Sequence, residues 1–539
     1  QIWISNFMWG GMENVYAVTL NDEGYLLDSR AAVDFTSDDV VAHELAHQWW
    51  GDLVTSRDWN HLWLHEGFAN YFEAVFKQHQ KGDDYFQYDL MGQASAVTST
   101  EDAHGRNPLV GKDGYTANVY SKGCWVLHMI RNLLGEREFW KAIRYYAQRY
   151  SFKNVDSHEF MLAVDDATGK NLAWFFEQWV YKAGHPKLHV TTTWDDSSKT
   201  LQIELRQTQV MDSLTGVFRF PLSIECTTSS GVVTTTPFIE TQTQRVNVPL
   251  PDPPLMIILD RGKNLLATFE RKITKEENLY RLRHAGDIVD RIDAAKQLQP
   301  HNEDTTVFVA LCEAALHDPF WAVRNQAVLS LASSEDDRVK QTLMGIYADP
   351  HSSVRTTAIG DLKRFATHDV ADFVLEAARR DSSYLVLAAS IRVLAEIDSV
   401  RGFDLAASCV GMESYRNIIR RAALNAFRNL KDVRAIPFAL AYSGIANPHD
   451  IRALSARLLG ELGKKNLDAR ARLFALINDG LASIRKVAVE SLAEWGDVES
   501  QTAIADRKLV EQDDSVKKSI ERVLEARSEG SSSDASQGK

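Results

Sequence analysis

The run His43-Glu44-Leu45-Ala46-His47, followed after a gap of 18 residues by Glu66, holds the side chains in this chain best suited to chemistry. Two histidines at i and i+4 stand one above the other on a single helix face, so both imidazoles reach one metal ion. Glu44 projects from a neighbouring part of that face, close enough to hold a water against the metal without ligating it. Glu66 is the third protein ligand, supplied from a second element. Three ligands and one open position are what a catalytic zinc requires. The pattern predicts a hydrolase with one Zn2+ per chain and Glu44 as general base. The plainer reading is an amphipathic helix with two packed histidines. A rival pair, His61 and His65, has the same spacing, but no acid sits beside His61 and the residues between are apolar.

The element that must carry the first pair is a helix. Thr36 or Ser37 caps it, Asp38 and Asp39 favour the positive end of its dipole, and Gly51 stands where it should stop. Around it, residues 1–186 mix a short extended start with helices, among them Ala117–Leu134. Two further groups of residues turn this layout into a resemblance. Gly10-Gly11-Met12-Glu13-Asn14 lies upstream, and Trp63-Leu64-His65-Glu66-Gly67-Phe68-Ala69 surrounds the third ligand. With His43–Thr55, Tyr120-Ser121-Lys122-Gly123 and the close from Phe176 to Pro186, they resemble the aminopeptidase N-like zinc metallopeptidases (gluzincin aminopeptidases). The resemblance is specific over residues 1–186 and looser over roughly the next 85.

The resemblance implies roles residue by residue. His43, His47 and Glu66 ligate zinc, and Glu44 activates water. Glu13 binds the free α-amino group of a peptide, while Gly10, Gly11 and Met12 run as an extended edge beside its backbone, with Asn14 closing that substrate-binding element. Tyr120 donates to the oxyanion; the alternative is Tyr115, with Tyr120 merely packed. Glu73 reads as a surface acid or as a support for a ligand. Trp49, Trp50, Trp59 and Trp63 read mainly as core. Gly11 stands where alanine is more usual and His65 where asparagine is, which bears on substrate preference more than on mechanism.

Length and composition bound the rest. A chain of 539 residues is too long for one core, and 45% hydrophobic with 25% charged residues is the composition of folded globular domains. The net charge of −13 argues against nucleic-acid partners. No apolar run is long enough to span a membrane. Cys124, Cys226, Cys312 and Cys409 lie far apart, giving neither a disulfide framework nor a metal-binding pair. Gln1 opens no signal peptide, and a relative would carry an N-terminal β domain and part of the catalytic sheet before it. The sequence therefore reads as part of a longer polypeptide, whose localisation is not legible here.

After residue 186 the hydrophobic period shortens to that of strands: Leu188–Trp194, Leu201–Thr208, Phe218–Cys226, Val232–Glu240, Arg245–Leu250 and Leu255–Leu259 predict a small β-sandwich over 187–270. Over 271–526 an internal repeat takes over. A turn residue followed by an apolar helical stretch recurs at Asp287, Asp318, Asp349, Asp381, Glu413, Asn447, Asp479 and Asp513, spaced 31 to 34 residues. Several units share Val-Arg or Ile-Arg before an alanine (Val323-Arg324, Val354-Arg355, Ile484-Arg485). Such units bury their apolar faces only by stacking, and they resemble HEAT repeats in an α-solenoid. Residues 527–539 are expected to be a disordered Ser/Gly tail.

The fold class expected is thus multidomain α+β: a thermolysin-like (gluzincin) catalytic domain lacking its N-terminal part, a β-sandwich and the solenoid. The solenoid is expected to close one side of the active-site cavity, or to act as a platform for a partner. The expected function is zinc-dependent removal of N-terminal residues from peptides with a free N-terminus. The alternatives are hydrolysis of a non-peptide substrate such as an epoxide lipid, as the resemblance allows, and a peptide-binding scaffold without catalysis.

Overall fold

The computed structural model describes residues 1–111, 117–332 and 337–534, with side chains described to residue 525. Contacts divide the chain into two compact units: Gln1–Leu26 with Thr36–Ser334, and Leu27–Phe35 with Glu335–Lys539.

The first unit opens with three short strands. Thr19–Asn21 lies in the middle, parallel to Ile2–Ile4 and antiparallel to Gly11–Met12, so the glycine-rich strand is an edge. The helix Asp38–Ala46 follows, then Trp63–Lys81, Asp83–His104 and Ala117–Leu134. Trp63–Lys81 starts on an apolar stripe of Trp63, Phe68 and Tyr71, all fully buried. Its contact with Ala117–Leu134 is made backbone to backbone. A Cβ on Gly67 would meet Gly123 Cα at 2.7 Å, and one on Gly123 would meet Gly67 Cα at 2.8 Å. Only glycine at both positions allows this approach, and it draws Glu66 and Tyr120 to the same end of the helix pair.

Residues 187–271 form strands, with more breaks than their hydrophobic pattern suggests. A four-stranded sheet, ordered Thr243–Pro249, Thr200–Gln207, Lys187–Asp195 and Thr268–Arg271, shares one apolar cluster with a three-stranded sheet of Gly231–Thr235, Ile224–Thr228 and Met256–Leu259. The expected strand Phe218–Cys226 is interrupted after Pro221, and Val232–Glu240 before Pro237. Phe220–Pro221 and Phe238–Ile239 then pair with each other as a separate ribbon. Proline lacks the N–H a central ladder needs, which explains both breaks. Thr268–Arg271, parallel to Lys187–Asp195, has no counterpart in the sequence reading, since four residues of mixed polarity carry little periodic signal.

Helices alone occupy the described residues from Lys275 onward. The repeated Val-Arg residues now have a physical role. Arg355 donates to the carbonyls of Asp349 and Pro350 in its own turn, and its guanidinium pairs with Asp381 of the next turn at 2.8 Å. Arg291 does the same with Asp318, Arg452 pairs with Asp479, and Arg485 pairs with Glu511. Each arginine therefore ties one turn to its successor. In the last unit the partner is Glu511 and not Asp513, whose carboxylate instead caps its own helix. That helix, Asp514–Asp534, runs through residues 527–534, where the sequence reading expects disorder; residues 535–539 lie outside the described residues. Once Val516 and Ile520 anchor its first turns, each added residue gains a hydrogen bond without a new nucleation cost.

The glycine contact makes a prediction. Gly123→Ala lowers stability by about 1–3 kcal/mol through overpacking. Gly92→Ala, on a helix where an added Cβ meets nothing within 4 Å, is neutral or stabilising by up to about 1 kcal/mol. Denaturant titration of both variants checks the contrast; equal midpoints would contradict the close packing.

Candidate active site

The helix Asp38–Ala46 brings His43, Glu44 and His47 to one cavity, His47 being its C-terminal cap. Thr36 Oγ1 accepts from the Asp38 amide at its start, while Ser37 makes no side-chain cap. The helix ends at Ala46, before Gly51; turns carry the chain on to Gly51, whose φ of +144° favours glycine. From the facing helix comes Glu66. His43 Nε2 lies 3.0 Å from His47 Nε2 and 3.3 Å from Glu66 Oε2, and His47 Nε2 lies 3.4 Å from that same oxygen. Ligands about 2.0–2.1 Å from a single four-coordinate ion stand about 3.3 Å apart. The triangle therefore fits a metal ion.

The outer nitrogens of the imidazoles are supported. His47 Nδ1 is 2.9 Å from Trp50 O, and His43 Nδ1 faces Glu73 Oε2 at 3.7 Å. Both arrangements turn Nε2 toward the centre, the usual support for a metal-bound histidine. Glu73 is held by Lys77 Nζ at 2.9 Å, which also reaches Asp39 at 3.1 Å and Asp89 at 2.5 Å. Burial opposes the charge on Lys77, but these carboxylates outweigh it and keep the side chain protonated. One ammonium thus ties the helix Asp38–Ala46 to Trp63–Lys81 and to Asp83–His104. Sequence reasoning missed this role, although Glu66, Asn70, Glu73 and Lys77 recur at helical spacing.

Glu44 is buried, and burial pushes its carboxyl up to about 7. Burial likewise disfavours the charges on His43 and Glu66, yet their mutual hydrogen bond prevails, holding His43 up at about 10 and Glu66 down at about 2. The Glu13 carboxylate lies within 4.8 Å of Glu44 and His47. Gln48 Nε2 donates to the Glu13 carbonyl at 3.0 Å, tying the residue after the strand Gly11–Met12 to the turn that follows the helix Asp38–Ala46. Gly11 borders Glu44 so closely that a Cβ there would stand 2.1 Å from Glu44 Oε1. The departure from alanine at this position thus makes room for the carboxylate.

The cavity, about 440 Å³, is lined by Gly10, Gly11, Met12 and Glu13 on one side and by His43, Glu44, His47, Glu66, Glu73 and Tyr120 on the other. Tyr25, unremarked in the sequence, also lines it, with Gly10 against its ring. The rings of Tyr120 and His43 stack with centroids 6.2 Å apart. Tyr115 lies outside the described residues. Asn14 stands outside the lining and donates to Thr19 Oγ1 at 3.3 Å, within the turn that joins two strands. Among the lining residues there are acids but neither lysine nor arginine.

The rival histidines are engaged elsewhere. His61 Nδ1 is 2.9 Å from Ser157 Oγ, and His65 Nε2 accepts the Ser56 amide at 2.7 Å. Burial lowers His65 to about 4 and keeps it neutral. Trp50 and Trp63 are core, while Trp49 and Trp59 are exposed. Lys122 and His185 do not reach the site. Both are buried near Glu101, with His185 Nδ1 2.9 Å from its carboxylate.

Residues 1–179 match the Peptidase family M1 domain, and residues 276–363 and 308–395 match HEAT repeats. The chain carries a peptidase M1 domain followed by HEAT repeats. The part containing the M1 domain is similar to leucyl aminopeptidase of Saccharolobus solfataricus, 29% identical over 234 residues, which covers 41% of this chain and 29% of that protein. It is also similar to tricorn protease-interacting factor F2 of Thermoplasma volcanium, 30% identical over 249 residues, 43% of this chain and 30% of that protein. Aminopeptidase N of Haemonchus contortus is 30% identical over 222 residues, 37% of this chain and 22% of its own length. The matches thus span about three tenths or less of these relatives. A crystal structure of Legionella pneumophila aminopeptidase A in complex with aspartic acid shares the fold, with a TM-score of 0.67 at 14% identity over 97% of this chain and 70% of that one.

If Glu73 orients His43, then Glu73→Gln weakens metal affinity of the M1 domain about tenfold or more, whereas His61→Ala leaves it unchanged. Competition against a chelator of known affinity measures both; a loss in the His61 variant would return that histidine to the metal site.

Proposed function

We propose that this chain is a zinc-dependent aminopeptidase that hydrolyses the first peptide bond of peptides with a free N-terminus. The observation that carries the proposal is the triangle of His43, His47 and Glu66, with Glu44 beside it and Glu13 within 4.8 Å of Glu44 and His47. Zinc held by those three residues supplies a Lewis acid that makes water a nucleophile at neutral pH.

The other residues divide the work. Glu44 takes the proton from the attacking water and passes it to the leaving amine. Its burial suits an acid–base group that must change charge during turnover. Tyr120 donates its hydroxyl proton in a hydrogen bond to the carbonyl oxygen as negative charge develops there, an interaction worth roughly 3–4 kcal/mol of barrier. Glu13 pairs with the substrate ammonium, which confines attack to the first bond. The edge strand Gly11–Met12 offers backbone groups to an extended peptide. A lining in which carboxylates outnumber imidazoles favours a cationic amine over a neutral fatty chain, which supports the peptide reading against the epoxide one. Intact ligands and base likewise favour catalysis over a scaffold.

Glu44→Gln is expected to keep zinc at one per chain while turnover of aminoacyl reporters falls by about 1,000-fold or more. Metal analysis alongside the assay decides it, and loss of zinc from this variant would make Glu44 a ligand. Glu13→Ala is expected to raise KM for free-amine substrates with zinc retained. The companion measurement is an N-acetylated peptide on the unmutated chain: cleavage as fast as the free amine would remove Glu13 from amine recognition.

A further inference from the structure

A second cavity, of about 280 Å³, lies within the first unit and shares no lining residue with the metal cavity. Its walls come from the helices Asp83–His104 and Ala117–Leu134, the strands Met256–Leu259 and Thr268–Arg271, and the helices Lys275–His284 and Ile288–Leu298. Part of the wall is apolar: Met91, Trp125, Leu259, Leu265 and Phe269. Trp125 donates its indole N–H to Leu90 O at 3.1 Å, so that ring needs nothing polar from the cavity. The rest is charged and deeply buried. Asp290 is 6% exposed and Arg281 5%. Asp290 Oδ1 accepts from Lys263 Nζ at 2.9 Å and from Arg281 Nη2 at 3.3 Å, while Arg281 Nη1 donates to Asn278 Oδ1 at 3.0 Å. Across from them, Gln87 Nε2 donates at 3.0 Å to Asp287, one turn before Asp290. Three atoms of this group remain over. Asp290 Oδ2, Arg281 Nε and Gln87 Oε1 are buried and find no hydrogen-bond partner among the described residues.

Buried polar atoms without partners cost free energy that a suitable ligand recovers. Two acceptors and one donor define the polar end of that ligand: a donor-rich cation for Asp290 Oδ2 and Gln87 Oε1, and an acceptor for Arg281 Nε. Asp290 and Arg281 are joined by a hydrogen bond, so the positions they offer lie close together. The ammonium and carboxylate of an α-amino acid, carried on one carbon, are just as close. The charges agree. Of the lining cations, Arg271 is taken up by Glu277 at 3.0 Å, which leaves Lys263 and Arg281 against Asp260, Asp290 and Asp293. Water would meet the three atoms but gain nothing from Trp125 and Phe269. The volume falls at the lower end of small-molecule sites, which run from about 300 to 1,000 Å³, and so suits one amino acid better than a peptide. We infer that this cavity binds a free α-amino acid with an apolar side chain, its ammonium on Asp290 and Gln87 and its carboxylate on Arg281. The reaction proposed above releases molecules of this class, but the binding does not depend on that reading.

The test is titration calorimetry of the full chain with L-leucine, glycine, leucinamide and N-acetyl-leucine, with amide hydrogen exchange to locate what binds. Leucine is expected to bind with a Kd of about 1 mM or below and to slow exchange in Ile288–Leu298 and Thr268–Arg271. Glycine lacks the apolar body, leucinamide the carboxylate and N-acetyl-leucine the ammonium; each binds about tenfold more weakly or worse. Leucinamide separates the two cavities, because a metal site that takes up a free amine does not need the carboxylate. Asp290→Asn weakens leucine binding about tenfold. Ala94→Leu, which fills the cavity from the helix Asp83–His104, abolishes it. Unchanged zinc affinity in both variants shows that they fold. Failure of the unmutated chain to bind leucine would overturn the proposal, and that arm needs no variant. So would slowed exchange confined to Asp38–Ala46, or undiminished binding in Ala94→Leu.

Discussion

Five carboxylates, Glu13, Asp39, Glu44, Glu66 and Glu73, line one cavity with only two imidazoles facing them. At an effective dielectric constant near 20, two such charges about 4 Å apart repel by about 4 kcal/mol. That excess of negative charge is the constraint on which the rest of the site depends. It explains why the site suits a metal ion, and the neighbouring Glu13 and Glu66 carboxylates add to the burial that chiefly pushes Glu44 toward neutrality. It also explains Lys77, a half-buried ammonium shared among Glu73, Asp39 and Asp89. The ammonium lies behind His43, across Glu73, and leaves the cavity itself acidic. A cationic group is drawn to such a surface, whereas an anion is repelled.

Holding the charges so close demands rigid backbone. Gly67 and Gly123 let two helices touch, and the contact lies one residue from Glu66 and three from Tyr120. Gln48 fixes the Glu13 carbonyl, and the missing Cβ of Gly11 leaves space for the Glu44 carboxylate. The Tyr-x-Lys-Gly element thereby gains a physical meaning. Tyr120 faces the cavity, Gly123 permits the approach, and Lys122 is buried with Glu101 near it. Facing the cavity and permitting the close approach are separate tasks here, performed by neighbouring residues of one helix.

The repeats show the same division between local pattern and long-range consequence. Their period is written in turn residues every 31 to 34 positions, because each unit needs its own turn and apolar face. Why arginine follows valine or isoleucine is visible only once the helices stack. The guanidinium then reaches an acid 26 or 27 residues further on. Glu511, and not Asp513, receives Arg485, since a pair is chosen by distance in space and the periodic residue is taken up as a cap.

The sequence by itself determined what depends on residues close along the chain. The i and i+4 histidines, the glutamate between them, the sheet-to-helix change of period and the repeat spacing are all local signals, legible because helix and strand geometry are set within a few residues. Glu66 was legible as well, through its own motif. Tertiary structure decided what depends on distance across the fold. It placed His61 and His65 in hydrogen bonds with Ser157 and Ser56, where their spacing alone matched a metal pair. It broke two strands into a separate ribbon and added the strand Thr268–Arg271. It brought in Tyr25 and Lys77, and it joined Leu27–Phe35 to repeats some 350 residues away. Those outcomes follow from packing and charge pairing between segments remote in sequence, and neither leaves a periodic trace that a reading along the chain can detect.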